Sequence, residues 1–310
     1  MTIATVTLNP AIDQTITLET LRRGQVQRAS SVRFDAGGKG VNVASCLGDW
    51  GLPLAATGLL GRDNAAAFEA LMRAKAIEDH FIRVEGATRT NIKLVDREET
   101  TDVNLPGFTA TPEALAAATG EASTLAARCD LVVVAGSLPQ GAPDDHYATL
   151  LAALSKVGKP VILDASGTAL AKAMAGPVMP YAIKPNAAEL AELAGEDCDS
   201  LQDIARVARR LQASGIALVV VSMGAEGALF CSKAGLIRAR LPAVTGGSSV
   251  GAGDAMVAGL ASALVEGADL ERTARLASAF AVGKLGLAGP NLPGRDIIEK
   301  LAAQASIDTP

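Results

Sequence analysis

Residues 131–137, Leu-Val-Val-Val-Ala-Gly-Ser, form an unbroken apolar run that is closed by a glycine and a serine. A continuous run of this length predicts a strand that is buried on both faces, because a strand with one solvated face would alternate apolar and polar residues. Strands of this kind belong to parallel sheets that are covered on both sides by helices. The run therefore predicts an α/β fold.

Similar runs occur on both sides of this strand along the chain, and segments with helical periodicity separate them. We expect strands at residues 3–8, 131–135, 161–163, 182–184 and 218–222. We expect helices at residues 41–50, 112–127, 144–157, 187–194 and 201–213. This alternation predicts one domain over residues 1–310, a three-layer α/β/α fold with a mostly parallel sheet, whose ligands bind at the carboxyl ends of the strands.

Two segments, residues 13–35 and 88–107, break this alternation. Their apolar and polar residues alternate, for instance at Val26, Arg28 and Ser30, which is typical of antiparallel strands with one exposed face. We expect them to form a small β-sheet lid on the main domain. An apolar lid face needs a partner surface, and a second copy of the lid would supply one, so the pattern predicts a homodimer.

Composition limits the function classes. The chain has 310 residues, 49% of them hydrophobic, which is enough for a large core. A net charge of −5 and only 3% aromatic residues argue against nucleic-acid binding. There is no secretion signal or membrane-length apolar run, so we expect a cytoplasmic location. The two histidines, His80 and His146, have no motif partners, which argues against histidine-based triads, and both are expected at the surface.

A glycine-rich turn lies at residues 245–254, Thr-Gly-Gly-Ser-Ser-Val-Gly-Ala-Gly-Asp, directly before the apolar segment 255–265. Glycines let backbone N–H groups approach a ligand, and the first N–H groups of a helix have no internal partner, so the turn predicts an anion site. Asp254 is then either a helix cap or a base. A helix N-terminus favours the ionised carboxylate, which predicts a lowered pKa, and an ionised aspartate suits phosphoryl transfer.

A second glycine turn precedes a helix at residues 35–42, Asp-Ala-Gly-Gly-Lys-Gly-Val-Asn, and it does not match a P-loop. Lys39 in this turn would neutralise a phosphate, or else it is a solvated lysine. Asn42 would bind a sugar hydroxyl. Asp13, which follows the first strand, would accept hydrogen bonds from two hydroxyls, or else it stabilises a turn.

Further candidates lie on strands and at strand ends. Arg89, Asn91 and Lys93 share one face of a strand and fit a phosphate, although their spacing alone slightly favours an exposed lid face. Glu189, one turn into a helix, would hold a magnesium-bound water. The remaining strand-end positions are Gly136, Ser137, Lys184, Asn186, Ser222, Gly224 and Gly227.

These residues together resemble the ribokinase-like carbohydrate kinases, in particular the phosphofructokinase B-type branch, over almost the whole chain. The blocks GGKGVNVA (37–44) and SVGAGDAMVAG (249–259) form a two-part signature. Further similar motifs are TLNPAID (7–13), TRTNIKL (88–94), AGSLP (135–139), KPNAAEL (184–190) and VSMGAEGAL (221–229). The resemblance implies the fold, a dimeric β lid, and the use of ATP and Mg²⁺.

Within that branch the motifs are most similar to those of bacterial enzymes that phosphorylate fructose 1-phosphate at its 6-hydroxyl. Kinases of fructose 6-phosphate or tagatose 6-phosphate remain alternatives, although Gln25 stands where some of these relatives carry lysine. A neutral-sugar or nucleoside kinase would leave Lys39, Arg89 and Lys93 without an anionic partner. A catalytically silent sugar-phosphate sensor is the alternative from another class.

The resemblance also implies individual roles. Asp254 would be the base, and Gly251, Ala252 and Gly253 would form the anion hole. Asp13, Gly38 and Asn42 would hold the sugar. The sugar's phosphate would be held by Lys39, Arg89, Lys93 and Ser137. The ATP and magnesium side would be formed by Lys184, Asn186, Glu189, Ser222, Gly224 and Gly227, with Glu189 acting on the metal through water.

Overall fold

The computed structural model describes residues 1–96, 99–242 and 251–310. Its strands are β1 (Ile3–Thr7), β2 (Ala11–Thr17), β3 (Ser31–Gly37), β4 (Leu54–Gly61), β5 (Glu78–Val84), β6 (Arg89–Val95), β7 (Thr100–Asn104), β8 (Leu131–Ala135), β9 (Val161–Asp164), β10 (Ala182–Ile183), β11 (Leu218–Ser222), β12 (Ala228–Ser232), β13 (Gly235–Arg240) and β14 (Ser306–Asp308). Its α-helices are α1 (Lys39–Trp50), α2 (Ala66–Ala74), α3 (Pro112–Arg128), α4 (His146–Ser155), α5 (Gly167–Met174), α6 (Ala187–Ala194), α7 (Leu201–Ala213), α8 (Ala252–Val265), α9 (Leu270–Lys284) and α10 (Arg295–Gln304).

The main sheet has the order β14-β13-β12-β11-β10-β9-β8-β1-β4-β5. From β5 to β11 all neighbouring strands are parallel, which confirms the predicted mostly parallel sheet. The strands β12, β13 and β14 add an antiparallel edge that the sequence pattern did not predict. The predicted bounds of β8, β11, α6 and α7 agree with the structure.

The packing of strand β8 explains why residues 131–135 are all apolar. Leu131 and Val133 pack into one core layer, together with residues of α1, α2, α8, α9 and α10. Val132 and Val134 pack into the other layer, together with residues of α3 to α7. Each of these side chains is at most 1% exposed, and burial of a Val or Leu side chain contributes about 1.5–3 kcal/mol. The two layers of helices thus cover both faces of the sheet, as predicted.

A second, small sheet has the order β3-β2-β6-β7 and overlaps the segments predicted to form the lid, although β2 begins at Ala11 and β3 ends at Gly37, both just outside the predicted bounds. The outer pairs are antiparallel as expected, but the central pair β2–β6 is parallel, so the prediction of antiparallel strands was wrong for that pair. The reason is topological: β2 follows β1 and β6 follows β5, and both of these parallel strands leave the main sheet at the same edge. The predicted strand around Val26 is a loop, in which Val26 is 95% exposed, and β3 begins only at Ser31.

The small sheet has two different faces, because successive side chains of a strand point to opposite sides. The inner face, which lines a cavity against the main domain, carries Asp13, Thr15, Arg33, Asp35 and Lys93. The outer face is mainly apolar and carries Ile16, Val32, Phe34, Ile92 and Val103, with Gln14 between Phe34 and Ile92. On this face Phe34 is 60% exposed, which is unusual for such a large apolar side chain.

No helix in the described ranges combines the length and the hydropathy needed to cross a membrane. The expectation that both histidines lie at the surface was wrong for His146, which is buried. It begins α4 one turn before Leu150, so the two side chains share the buried face of that helix.

Candidate active site

The carboxyl ends of the central parallel strands meet at one edge of the main sheet, and most of the candidate residues lie there. Asp13 follows β1, Ser137 follows β8, Lys184 follows β10, and Ser222 ends β11. Asp164, which is outside all of the motifs above, ends β9. The edge therefore brings together candidates that are far apart along the chain, as expected for an α/β sheet.

Asp254 lies in the first turn of α8 and is 8% exposed. Gly251 occupies the cap position with a positive φ of 81° and leaves the start of the helix without a side-chain cap. Asp254 is thus not a helix cap. Asn42 Nδ2 of α1 donates a hydrogen bond of 2.7 Å to Asp254 Oδ2, so the helices that follow the two glycine turns meet at this carboxylate. Residues 245–250, the first part of the late turn, lie outside the described residues.

Burial is the largest influence on Asp254 and, together with the negative charge of Asp164, raises the pKa of its carboxyl to about 6. The hydrogen bond from Asn42 and the charges of Lys39 and Lys184 act in the opposite direction. The sequence-based expectation of a lowered pKa was therefore wrong. The helix N-terminus favours the charged form of Asp254 by a modest amount, whereas burial of the carboxyl group disfavours that form more strongly.

The raised pKa of Asp254 makes a testable contribution to stability. The folded state favours the protonated carboxyl, so this contribution is complete below the ordinary aspartate pKa of 3.8 and is lost as pH rises through about 6. Relative to Asp254→Asn, we expect the wild-type free energy of unfolding to fall by about 1–2 kcal/mol between about pH 5 and about pH 7.5. Urea unfolding of both proteins across this pH range measures the difference between their free energies of unfolding. A difference that does not change with pH would contradict a raised pKa of Asp254.

Two lysines flank the buried Asp164. Lys39 Nζ lies 3.4 Å from Asp164 Oδ2, and Lys184 Nζ lies 3.5 Å from Oδ1. Neither carboxylate oxygen accepts a hydrogen bond of good geometry from the described residues, so the charge of Asp164 is compensated mainly by these two ammonium groups. Burial lowers the pKa of Lys39, but the charges of Asp164 and other carboxylates outweigh it, and the net pKa is raised. Lys39 therefore remains a cation.

Lys184 lies close to the start of α8: a Cβ atom added to Gly253 would be 3.4 Å from Lys184 Nζ. The backbone N–H groups of a helix start and an ammonium group are both donors to an anion. Lys184 and the helix start thus lie where the Gly251–Gly253 turn predicts an anion, and the charge of Lys39 also acts on Asp254 in this region.

Asp13 is the centre of a polar cluster on the inner face of the small sheet. Asn91 Nδ2 donates to Asp13 Oδ1 at 3.1 Å, and Lys93 Nζ donates to Oδ2 at 3.0 Å. A cavity of about 330 Å³ is lined by Asp13 together with Asn42, Lys93 and Gly251. The predicted sugar residues Asp13 and Asn42 thus border one cavity next to Asp254.

Gly38 is the cap of α1 and has a φ of 99°. A Cβ atom there would lie 2.8 Å from Pro10 Cα, so only glycine allows this close approach of the two chain segments. The turn brings α1, and with it Asn42, up to the segment that carries Asp13.

Arg89 and Ser137 form a different group around Asn9. Asn9 Nδ2 donates to Ser137 Oγ at 3.0 Å, and the Arg89 guanidinium donates to the carbonyl oxygens of Asn9 and Pro10 at 3.4 Å. Burial lowers the pKa of Arg89. Lys39, Arg89, Lys93 and Ser137, which the resemblance assigns to one phosphate, are therefore split among three groups of contacts.

Three of the nucleotide-side candidates, Ser222, Gly224 and Gly227, border a second, mainly apolar cavity of about 410 Å³, and Lys184, Asn186 and Glu189 do not line it. Its lining includes Ser222, Gly224, Gly227, Ala252, Gly253 and Met256. Ala252 and Gly253 also begin α8, whose cap Gly251 lines the sugar-side cavity, so both cavities reach the same helix start.

Asn186 and Glu189 form a reciprocal capping box at the start of α6. Asn186 Oδ1 accepts from the Glu189 N–H, and Glu189 Oε2 accepts from the Asn186 N–H, both at 2.8 Å. Among the described residues no group of three or more His, Cys, Asp or Glu side chains is arranged to hold a metal. The Glu189 carboxylate accepts from the Asn186 N–H through Oε2, and its remaining lone pairs can accept a hydrogen bond from a metal-bound water.

The sequence reasoning missed three residues of this region: Asp164, Arg33 and Lys284. Asp164 had a readable signal, since it is a carboxylate that directly ends the apolar run 161–163. Lys284 ends the largely buried helix α9 and lines the sugar-side cavity although it is only 4% exposed. Arg33 lines the same cavity and donates to Asp35 at 2.7 Å.

Comparison with known proteins agrees with this arrangement. The family of pfkB carbohydrate kinases matches residues 6–293. A 1-phosphofructokinase of Xanthomonas campestris pv. campestris is 53% identical over 91% of this chain and 90% of that protein. A 1-phosphofructokinase of Rhodobacter capsulatus is 46% identical over 99% of this chain and 98% of that protein.

Among solved structures, phosphofructokinase-2 from Escherichia coli in complex with substrates and products has a TM-score of 0.89 at 26% identity, over 98% of this chain and 99% of that chain. Arabidopsis thaliana ribokinase, complexed with ribose and ATP, shares the fold with a TM-score of 0.75 at 22% identity, over 97% of this chain and 98% of that chain. The site geometry and the family match lead to one conclusion: the chain belongs to the pfkB family of carbohydrate kinases.

Proposed function

We propose that this protein transfers a phosphoryl group from ATP to the 6-hydroxyl of fructose 1-phosphate, which yields fructose 1,6-bisphosphate and ADP. The observation that carries the proposal is the buried Asp254, held by Asn42 at a helix start that borders both a polar and an apolar cavity. The two curated relatives, each named 1-phosphofructokinase and matched over at least 90% of its length, support this substrate.

Asp254 acts as the base. Above pH about 6 its carboxylate is ionised, and it accepts the proton of the sugar's 6-hydroxyl as that oxygen bonds to the γ-phosphorus. The bond between the γ-phosphorus and the bridging oxygen breaks, and that oxygen leaves with ADP. The hydrogen bond from Asn42 fixes the orientation of the carboxylate.

The charge on the transferring group is stabilised by donors that are already in place. These are the backbone N–H groups of the Gly251–Gly253 turn, with Lys184 next to Gly253 and Lys39 nearby. Such fixed donors need no reorganisation during the reaction, which makes them effective in phosphoryl transfer.

Asp13, Gly38 and Asn42 hold the sugar. Asp13 is oriented by Asn91 and Lys93 and retains lone pairs for substrate hydroxyls.

The apolar cavity receives the nucleotide, with Ser222, Gly224 and Gly227 along its wall. Lys184, Asn186 and Glu189 lie on the phosphate side, and Glu189 would hold Mg²⁺ through water. The metal, when bound, neutralises phosphate charge.

We also propose a homodimer formed through the outer face of the small sheet. Val32, Phe34 and Val103 are 48%, 60% and 43% exposed and lie on one apolar face. A second copy of this face would cover them in a two-fold symmetric contact.

The substrate is tested by measuring kcat/KM with Mg-ATP on fructose 1-phosphate, fructose 6-phosphate and tagatose 6-phosphate. We expect a preference of at least about tenfold for fructose 1-phosphate, which corresponds to about 1.4 kcal/mol of transition-state discrimination. A preference for either 6-phosphate would leave the kinase mechanism and change the substrate. No turnover on any of the three would favour a sugar-phosphate sensor.

A further inference from the structure

Ser278, in the middle of α9, carries a buried hydroxyl group that has no hydrogen-bond partner among the described residues. The residue is 5% exposed, and its Oγ atom is inaccessible to solvent. Serines inside helices often donate to the carbonyl four residues earlier, as Ser262 of α8 does to the Ala258 carbonyl at 2.9 Å. Ser278 lacks this bond, and an unpaired buried hydroxyl is unfavourable unless a ligand or a water completes its hydrogen bonds.

Ser278 lies at the wall of the apolar cavity beside the start of α8. Four residues of α9 line this cavity at the spacing i, i+3, i+4 and i+7, so they form one face of the helix. They are Ser278, Ala281, Val282 and Leu285. A ligand in the cavity would thus meet apolar side chains along α9 and a single hydroxyl group.

The other walls of this cavity leave room for a flat ligand. Met256 of α8 and Leu241 and Pro242 after β13 are apolar, and the turn between β11 and β12 contributes glycine backbone. Gly227 of this turn has a φ of 87°, and a Cβ atom there would be 2.1 Å from the Ala239 carbonyl oxygen. An apolar cavity with few polar groups suits a heteroaromatic ring, whose faces are apolar and whose edge carries hydrogen-bonding atoms.

The packing of α8 against α9 shows how far Ser278 lies from the helix start. A Cβ atom on Gly251 would be 3.4 Å from Lys284 Cε, and one on Gly259 would be 2.7 Å from Ala277 Cα. The two helices therefore run antiparallel, and Ser278 lies beside the second turn of α8 and not beside its first residues. Seven to eight helical residues span about 10–12 Å. With the phosphates at the start of α8, the part of the nucleotide that reaches Ser278 is its base.

We propose that the Ser278 hydroxyl group binds the edge of the adenine base of ATP, and that it contributes to nucleotide affinity without acting on the transferring phosphoryl group. This inference rests on the proposed function. Adenine offers ring nitrogens that accept and an amino group that donates, and a free hydroxyl can do both. The bound base would supply the partner that Ser278 lacks within the protein.

The test compares Ser278→Ala with wild type, with Ser262→Ala as the matched control. Both serines are buried in a helix, but the Ser262 hydroxyl is bonded within its own helix. Calorimetric titration is expected to show a Kd for ADP that is about 3- to 10-fold higher in Ser278→Ala and unchanged in Ser262→Ala. KM for ATP is expected to rise by the same factor, while kcat and KM for fructose 1-phosphate stay within about twofold.

Ribose 5-diphosphate, which is ADP without its base, separates a contact with the base from a change in the shape of the cavity. Its stabilisation of the protein against heat, measured at increasing concentrations, is expected to be equal in wild type and Ser278→Ala. If Ser278→Ala weakened the binding of ADP and of ribose 5-diphosphate equally, the hydroxyl would act on the cavity and not on the base, and the inference would be wrong.

Thermal unfolding without ligand tests the unpaired state of the hydroxyl itself. Ser278→Ala is expected to unfold at a temperature no lower than wild type, because an unpaired buried group is removed and alanine favours the helix. A lower unfolding temperature would show that the hydroxyl is bonded within the protein, which would remove the basis of the inference.

The failure of this inference differs from the failure of the proposed function. An unchanged Kd for ADP in Ser278→Ala would overturn the contact with the base, while wild type still phosphorylates fructose 1-phosphate. A wild type that binds ADP through Ser278 but phosphorylates none of the three sugar phosphates would remove the proposed substrate and leave the contact with the base. A wild type that neither binds ADP nor phosphorylates a sugar phosphate would remove both.

Discussion

Asp254→Asn is expected to lower kcat by about 10²–10⁴-fold while the affinity for fructose 1-phosphate stays within about threefold. The substituted amide has the size of the carboxyl group, and its oxygen can still accept the hydrogen bond from Asn42 Nδ2. It cannot accept the proton of the 6-hydroxyl. Steady-state kinetics with saturating Mg-ATP, together with calorimetric titration of the sugar phosphate, separates the two effects.

The control for this variant is Asp130→Asn. Asp130 accepts from the Thr2 N–H and directly precedes β8, so it lies at the amino-terminal edge of the main sheet, away from the site. Its kcat is expected to equal that of wild type. If Asp254→Asn kept near-normal turnover, another group would have to take the proton, and the base assignment would be wrong.

Asp13→Ala is expected to lower kcat/KM for fructose 1-phosphate by about 10²–10³-fold, mainly through KM. The substitution removes the acceptor for substrate hydroxyls and also the partner of Lys93 and Asn91. Both losses affect ground-state binding, because the carboxylate lies on the sugar side and Asn42 still orients Asp254. Initial-rate measurements over a wide range of sugar-phosphate concentrations determine kcat and KM separately.

Asp13→Asn is the matched variant, since it keeps one acceptor oxygen and the side-chain size but loses the charge. It is expected to lose about tenfold in kcat/KM, less than the alanine variant. Thermal unfolding of both variants checks that the small sheet remains folded. An unchanged KM in Asp13→Ala would mean that the sugar binds elsewhere, and the cavity beside Lys93 would lose its assignment.

The central strands and several helices were predictable because their signals are local. The apolar runs of β8 and β11 are continuous since helices cover both faces of the sheet, and this burial is visible in the residues themselves. The antiparallel edge β12–β14 and the parallel pairing of β2 with β6 were missed. Strand partners are chosen by the path of the whole chain, which a local pattern does not contain.

The candidate site likewise combines features that the sequence predicted with features that it did not. Asp254 and Asn42 were recognised from their glycine turns, but the raised pKa of Asp254 was not, because it depends on burial and on Asp164, which is distant in sequence. The grouping of Lys39, Arg89, Lys93 and Ser137 around one phosphate stays a prediction that the contacts do not favour. Lys284 was missed because a lysine at the end of a helix is ordinarily a solvated residue.

Local sequence was sufficient for the α/β class, the positions of the central strands, the two glycine turns and the set of side chains that can do chemistry. These properties follow from hydrophobic periodicity and from backbone freedom at glycine, both of which act over a few residues. The folded chain was needed to establish which charges face each other and which of them are buried. Electrostatic energies depend on distance and on exclusion of water, and both are set by packing between segments far apart in the chain.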